Sequence, residues 1–128
     1  MEIKKIESNL KMKNFYFSKC CFERRKEISN GEYHADLKKR ITKTAEHEYD
    51  VEVNLKISKN DFELLVVANA EFLYEAENYN QEEILIHKNT VAIMFPFIRS
   101  QVSLMTAQPG MMPVVLPPIN TAKFNSST

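Results

Sequence analysis

Side-chain chemistry needs particular residues at particular spacings, and this chain offers few of either. Its imidazoles and thiols are His34, His47, His87, Cys20 and Cys21. Zinc sites gather such ligands through spacings like Cys-x-x-Cys or His-x-x-x-His, and neither occurs. His34 and His47 differ in parity, so on one hairpin they point to opposite faces. All three histidines read as ordinary surface or partly buried side chains, and no metal is expected. Cys20 and Cys21 are adjacent, where a bridge is strained. Without a Cys-x-x-Cys motif they read as half-buried strand thiols. No serine sits in a Gly-x-Ser-x-Gly elbow. Gly31 and Gly110 are the only glycines, too few to cradle a phosphate. The Glu82-Glu83 pair reads as negative charge complementing a helix N-terminus. We therefore expect no catalytic residues, no cofactor and no enzyme.

Charge narrows the partners. Arg24-Arg25-Lys26 and Lys38-Lys39-Arg40, with Phe15, Tyr16, Phe17 and Phe22 nearby, suggest RNA stacking on a sheet. Lysine plus arginine (17) equals aspartate plus glutamate (17), however, and acids lie between the basic clusters. A sheet-based RNA-binding or structural adaptor therefore stands only as the alternative from another class, and no nucleic acid is expected. No window approaches the roughly 18 apolar residues of a membrane span. The opening MEIKKIESNLKMKN lacks the apolar core of a secretory signal. With two free thiols, a cytoplasmic location is expected.

The elements that must position any site follow from periodicity. From Tyr33 to Ser58 every even position is polar. Most odd positions are apolar, including Ala35, Leu37, Ile41, Tyr49, Val51, Val53, Leu55 and Ile57. Period two means strand. A single strand of that length would extend about 80 Å at about 3.3 Å per residue, so the chain turns back near Glu46–Tyr49 into a hairpin with one wet face. Asn14–Arg24, rich in aromatics, reads as an earlier strand. Asp61–Glu77 is ambiguous. As a strand, Phe62, Leu64, Val66, Ala68, Ala70, Phe72 and Tyr74 share a face; as a helix, Phe62, Leu65, Val66, Asn69, Phe72, Leu73 and Ala76 align. The tight polar turn Ser58–Asp61 favours the strand.

Gln81–Lys88 reads as a short helical turn, and Asn89 or Thr90 as the N-cap of a longer helix. On that helix Val91, Met94, Phe95, Ile98, Val102 and Met105 keep helical spacing, and Ile93, Phe97 and Leu104 widen the stripe. Only Arg99, Ser103 and Thr106 form a polar strip. So wide a stripe exceeds what one sheet covers, and the excess is expected to meet another subunit. Pro96 should kink this helix or mark its start. Next comes QPGMMPVVLPPIN, Gln108 to Asn120, which holds four of the five prolines. Proline cannot continue a helix or sit in a central strand, so this is an extended loop, unusually apolar for one.

The expected fold is α+β, a four-stranded antiparallel sheet with a long helix packed on one face. Strands are expected over about 14–24, 33–45, 49–58 and 61–76, the helix over about 90–108 and the apolar crossover over 109–120. Together they form one domain, 14–124, between tails 1–13 and 125–128.

The helix and crossover carry a resemblance. Met94-Phe95-Pro96-Phe97-Ile98-Arg99, Gln108-Pro109-Gly110-Met111-Met112 and Leu116-Pro117-Pro118-Ile119-Asn120 resemble the SecB family of export chaperones. That family's helix opens with Ile/Leu-Phe-Pro-Tyr/Phe-x-Arg and leads into a proline-rich crossover. Cys21-Phe22-Glu23 looks like the family's Ser-Phe-Glu, and Glu71-Phe72 like its Ile-Phe. The resemblance implies a dimer of dimers, a homotetramer with helices sandwiched between sheets. Val91, Met94, Phe95, Ile98, Val102 and Met105 then become the expected oligomer interface.

It also implies an ATP-independent holdase that binds unfolded or precursor chains in apolar grooves for protein export. A variant of that reading is a SecB-like chaperone dedicated to one client, such as the antitoxin of a toxin–antitoxin system. The implied client-binding residues are Met111, Met112, Val114, Val115, Leu116 and Ile119 of the crossover, with Ala35, Leu37, Phe62, Leu64 and Val66 of the sheet. Self-packing of the crossover's apolar residues against the helix is the competing role for any one of them. The SecA motor is a further implied partner. Its acidic docking surface is depleted here, since Lys19 and Leu65 stand at places that are acidic in the family, and the family's second helix and docking tail are expected to be truncated or absent.

Overall fold

The computed structural model describes residues 9–26 and 31–118. In chain order they form β1 (Leu10–Arg24), β2 (His34–Ala45), β3 (Glu48–Lys59), β4 (Phe62–Tyr74) and a helix, α1 (Glu82–Thr106). The strands make one antiparallel sheet in the order β1-β4-β3-β2. Three strands follow one another as hairpins and the first returns beside the last, a Greek key in reverse chain order. The β2–β3 turn is shorter than the sequence suggests. Only Glu46 and His47 lie between the strands, and His47 takes the left-handed backbone (φ 63°) that closes the corner.

Alternation decides the faces. On β3, Tyr49, Val51, Val53, Leu55 and Ile57 are buried, and on β4 the even positions Phe62 to Tyr74 are buried. Paired residues share a face, as in Val53↔Ala68 and Leu55↔Val66, so these rows form one apolar surface. The ambiguous segment is thus a strand, and α1 lies across this surface. Charged residues occupy the other face, where Asp50 opposes Glu71 and Arg40 opposes Glu52.

β1 begins earlier than the aromatic run implied, because Leu10 pairs with Tyr74 and Met12 with Phe72. Its apolar residues do not keep one parity, and two register shifts reconcile them. One lies between Lys13 and Tyr16, where Asn14 has φ 54°, and the other between Phe17 and Lys19. Each shift turns the following residues over. Met12, then Phe15 and Phe17, then Phe22 all pack against the core.

The helix begins at Glu82, not near residue 90. The expected cap Thr90 is buried inside it, and its Oγ1 donates to the Ile86 carbonyl at 2.7 Å. Ile86 is fully buried, so packing carries the helix through two turns whose sequence periodicity is weak. Pro96 is accommodated within the helix, at an exposed position.

The expected interface residues need correction. Val91, Met94, Phe95, Ile98 and Val102 are buried against their own sheet, and Met105 is half-buried on the same core. The helical period turns this stripe inward to cover the sheet, so it is core within one subunit. The large apolar side chains left exposed on α1 are Ile84, Leu104 (69% exposed) and Phe97 (50%), whose ring rests partly on Phe15 with centroids 5.2 Å apart.

Candidate functional site

The crossover is positioned from three directions. At the end of α1 the Met111 amide donates to the Gln108 carbonyl at 3.1 Å, closing a turn around Gly110, whose φ of 71° suits glycine. Arg24, at the end of β1, grips that turn: Nη1 donates to the Pro109 carbonyl (2.6 Å) and Nη2 to the Gly110 carbonyl (3.2 Å). Beyond it, the polar strip of α1 fastens the loop. Ser103 Oγ donates to the Val114 carbonyl at 2.9 Å, and Arg99 Nε donates to the Leu116 carbonyl at 2.7 Å. The Val114 amide donates to Thr106 Oγ1 at 2.8 Å, and that hydroxyl donates to the Val102 carbonyl at 2.8 Å. Helix side chains thereby meet the loop's inward backbone groups, while Pro113, Pro117 and Pro118 bring no donors that would need partners.

Period two then sorts the crossover. Val114 and Leu116 point inward and are buried, and Met111 is half-buried against the core. Met112 (87% exposed) and Val115 (72%) stand outward. Between the loop and the outer face of α1 runs an open furrow of about 670 Å³, lined by Pro96, Arg99, Ser100, Ser103, Leu104, Pro113, Val115 and Leu116. The structure thus gathers only some of the residues expected to touch clients. Val115 lines the furrow, Leu116 contributes to its floor, and Met112 is free on the same loop. Ile119 lies outside the described residues.

The sheet residues are a correction. Leu37, Phe62, Leu64 and Val66 are buried on the helix-covered face and offer no surface to a second chain in this packing, and Ala35 alone is exposed. Their parity places them on the dry face, and α1 fills the space that a client would need. Cys20 and Cys21 are exposed free thiols rather than half-buried ones, because β1 is an edge strand.

A second cluster escaped the sequence reading. Glu82 is buried at the start of α1. Its Oε1 lies 2.6 Å from His47 Nδ1, and its Oε2 accepts from the Tyr49 hydroxyl. His47 stacks on Tyr79 with ring centroids 3.8 Å apart. Burial pushes the Glu82 carboxyl up, but the hydrogen bonds from Tyr49 and His47 and the charges of His47 and Lys43 outweigh it, leaving its pKa below the ordinary value. Burial, then the Glu82 hydrogen bond, hold the Tyr49 hydroxyl well above the usual tyrosine range. So Glu82 does more than face the helix dipole: it ties the helix start to the β2–β3 turn. The one sequence hint is a buried-type acid with no Ser, Thr, Asp or Asn cap before it. Nearby, buried Lys39 donates to the His87 carbonyl at 2.6 Å, and burial lowers its pKa.

Among the described residues no three His, Cys, Asp or Glu side chains gather as a metal site. None of their helices is long and apolar enough to cross a membrane. What these residues define is an α+β protein with one helix on a Greek-key sheet and an apolar furrow beneath a proline-stiffened crossover. The chain belongs to the SecB family: the family described as preprotein translocase subunit SecB matches residues 4–127.

It is 30% identical over 96 residues to the protein-export protein SecB of Magnetococcus marinus, which covers 72% of this chain and 61% of that protein. A protein of Methanocaldococcus jannaschii is 53% identical over a shorter stretch of 34 residues, 27% of this chain and 22% of that protein. The chain thus spans less than two thirds of the length of either relative. Among solved structures, the fold is similar to the Mycobacterium tuberculosis Rv1957 SecB-like chaperone in complex with a ChAD peptide from the Rv1956 HigA1 antitoxin. That match has a TM-score of 0.69, 12% identity and 91% coverage of both chains. A Streptococcus agalactiae protein of unknown function matches with a TM-score of 0.51 and 10% identity over 84% of this chain and 96% of that one.

Proposed function

We propose that this chain is a nucleotide-independent, non-enzymatic chaperone that holds unfolded or precursor polypeptides, acting in the cytoplasm and supporting protein export. One observation carries the reading: Met112 and Val115 project from a crossover fastened beside an open apolar furrow. Fixing the loop through Arg24, Arg99, Ser103 and Thr106 removes ordering that binding would otherwise require. Methionine adapts to many side chains, and each apolar client residue buried there contributes about 1.5–3 kcal/mol before costs. The exposed Ile84 and Phe97 favour self-association into a homo-oligomer, a tetramer by family analogy. Docking of the SecA motor is the weaker part of the reading, because exposed Lys19 and half-buried Leu65 lie on the outer sheet face.

A dedicated client is the second reading, favoured by the fold shared with a SecB-like chaperone that holds an antitoxin peptide. The test is suppression of aggregation across several unrelated, chemically unfolded proteins. Broad suppression supports general holding, and suppression confined to one client supports the second reading. Met112→Asp with Val115→Asp alters exposed positions only, so the fold is retained. The pair is expected to raise the concentration needed for half-suppression about tenfold. An unchanged value would remove the crossover from the site.

A further inference from the structure

The outer face of the sheet, turned away from α1, divides by charge. Strand register places Lys19, Val67, Asn54 and Lys38 in one row across β1, β4, β3 and β2, and Cys21, Leu65, Lys56 and Asp36 in the next. Lys19, Lys38 and Lys56 are exposed, and none has an ion pair or hydrogen bond among the described residues. Arg40 borders them and faces Glu52 at 4.0 Å, so the cations of this belt outnumber its acids, Asp36 and Glu52. The flanking rows are acidic. Asp50 opposes Glu71 on one side and Glu23 opposes Glu63 on the other, with Lys13 across from Glu71 and Arg25 paired to Glu63 at 2.7 Å. At the centre of the belt lie buried Val67 and half-buried Leu65. Leu65 shares a hollow of about 270 Å³ with Cys21 and Lys56, bounded at its rim by Glu23 and Glu63.

We infer that this face docks a partner protein through an extended segment of the form acid-x-apolar-x-acid, its carboxylates on Lys19 and Lys38. Three strand spacings separate those lysines, about 14 Å, which four residues of extended chain also span. In such a segment the first, third and fifth side chains point the same way. The apolar third residue therefore comes down on Val67 and Leu65, between the two charge pairs. Lys56 adds to the pull on the acids. A nucleic acid fits less well, because the belt is short and bordered by acids. Phe15, Phe17 and Phe22 are also turned onto the core, where they offer bases no stacking platform. The sheet separates this face from α1, so the docking does not rest on the client-holding reading.

Fluorescence anisotropy of the full chain with end-capped peptides tests it, using one sequence that carries Asp, Asn or Lys at both ends of the motif around a central Leu. The Asp peptide is expected to bind about tenfold tighter than the Asn peptide at low salt, with Lys weakest and the gap closing as salt rises. Moving the two acids to adjacent positions is expected to lose most of that gain. Lys19→Gln and Lys38→Gln alter exposed side chains, and each is expected to weaken the Asp peptide about threefold. Lys13→Gln removes the same charge from the same face outside the belt and is expected to change nothing. Equal binding of the Asp and Asn peptides, a Lys peptide as tight as Asp, or equal losses from Lys13→Gln and Lys19→Gln would overturn the proposal. So would a single-stranded oligouridylate that binds more tightly than the Asp peptide, since that assigns the belt to RNA. Suppression of client aggregation is expected to survive both belt variants. Absence of any suppression alongside intact Asp-peptide binding would overturn the client-holding reading alone.

Discussion

Glu82 shows how a single carboxylate can be placed by geometry that its neighbours in sequence do not announce. It lies below solvent, accepts from Tyr49 and faces His47, and those donors keep it ionised despite burial. A carboxyl whose folded pKa is depressed contributes stability above its ordinary value of 4.5, and that contribution disappears as pH falls through the lower folded value. Glu82→Gln should therefore lose about 1–3 kcal/mol at neutral pH and show a flatter acid limb below pH 4.5. Urea titrations of both proteins across that range check this. Matching acid limbs would mean that Glu82 does not carry the dependence.

At the scale of elements, α1 does two jobs with its two sides. Its apolar side covers the sheet, and its strip of Arg99, Ser103 and Thr106 holds the crossover by backbone groups alone. Thr106→Val keeps the shape but removes the acceptor for the Val114 amide. Hydrogen exchange at that amide is expected to rise about five- to tenfold, with global stability falling by about 1 kcal/mol. Unchanged exchange at Val114 would show that the strip does not fasten the loop. The strip itself was legible as three polar residues at helical spacing. Its purpose was not, because the amide and the carbonyls it meets belong to a segment eight to seventeen residues further on.

For the whole molecule, the question is which apolar surface remains once the chain has covered itself. The wide helix stripe implied both a core and an interface, but periodicity alone does not say which residues serve which. The sheet claims Val91, Met94, Phe95, Ile98 and Val102, leaving Phe97 and Leu104 outside. Ile84→Asp, at an exposed position on α1 away from the furrow, is expected to lower the assembled mass in sedimentation while leaving the thermal midpoint of the fold nearly unchanged, since exposed substitutions cost within about 0.5 kcal/mol. An unaltered mass would place self-association on another surface.

Strict alternation between Tyr33 and Ser58, the tight turn before Phe62 and the prolines after Gln108 determined the sheet, the helix and the extended crossover from sequence alone. These are local effects: side-chain period and missing donors act within a few residues. The two parity shifts in β1, the inward turn of Glu82 and the burial of Leu37, Leu64 and Val66 were decided only by tertiary structure. Each depends on a partner far along the chain, β4 for the first, the β2–β3 turn for the second and α1 for the third, and no local pattern encodes which distant surface arrives.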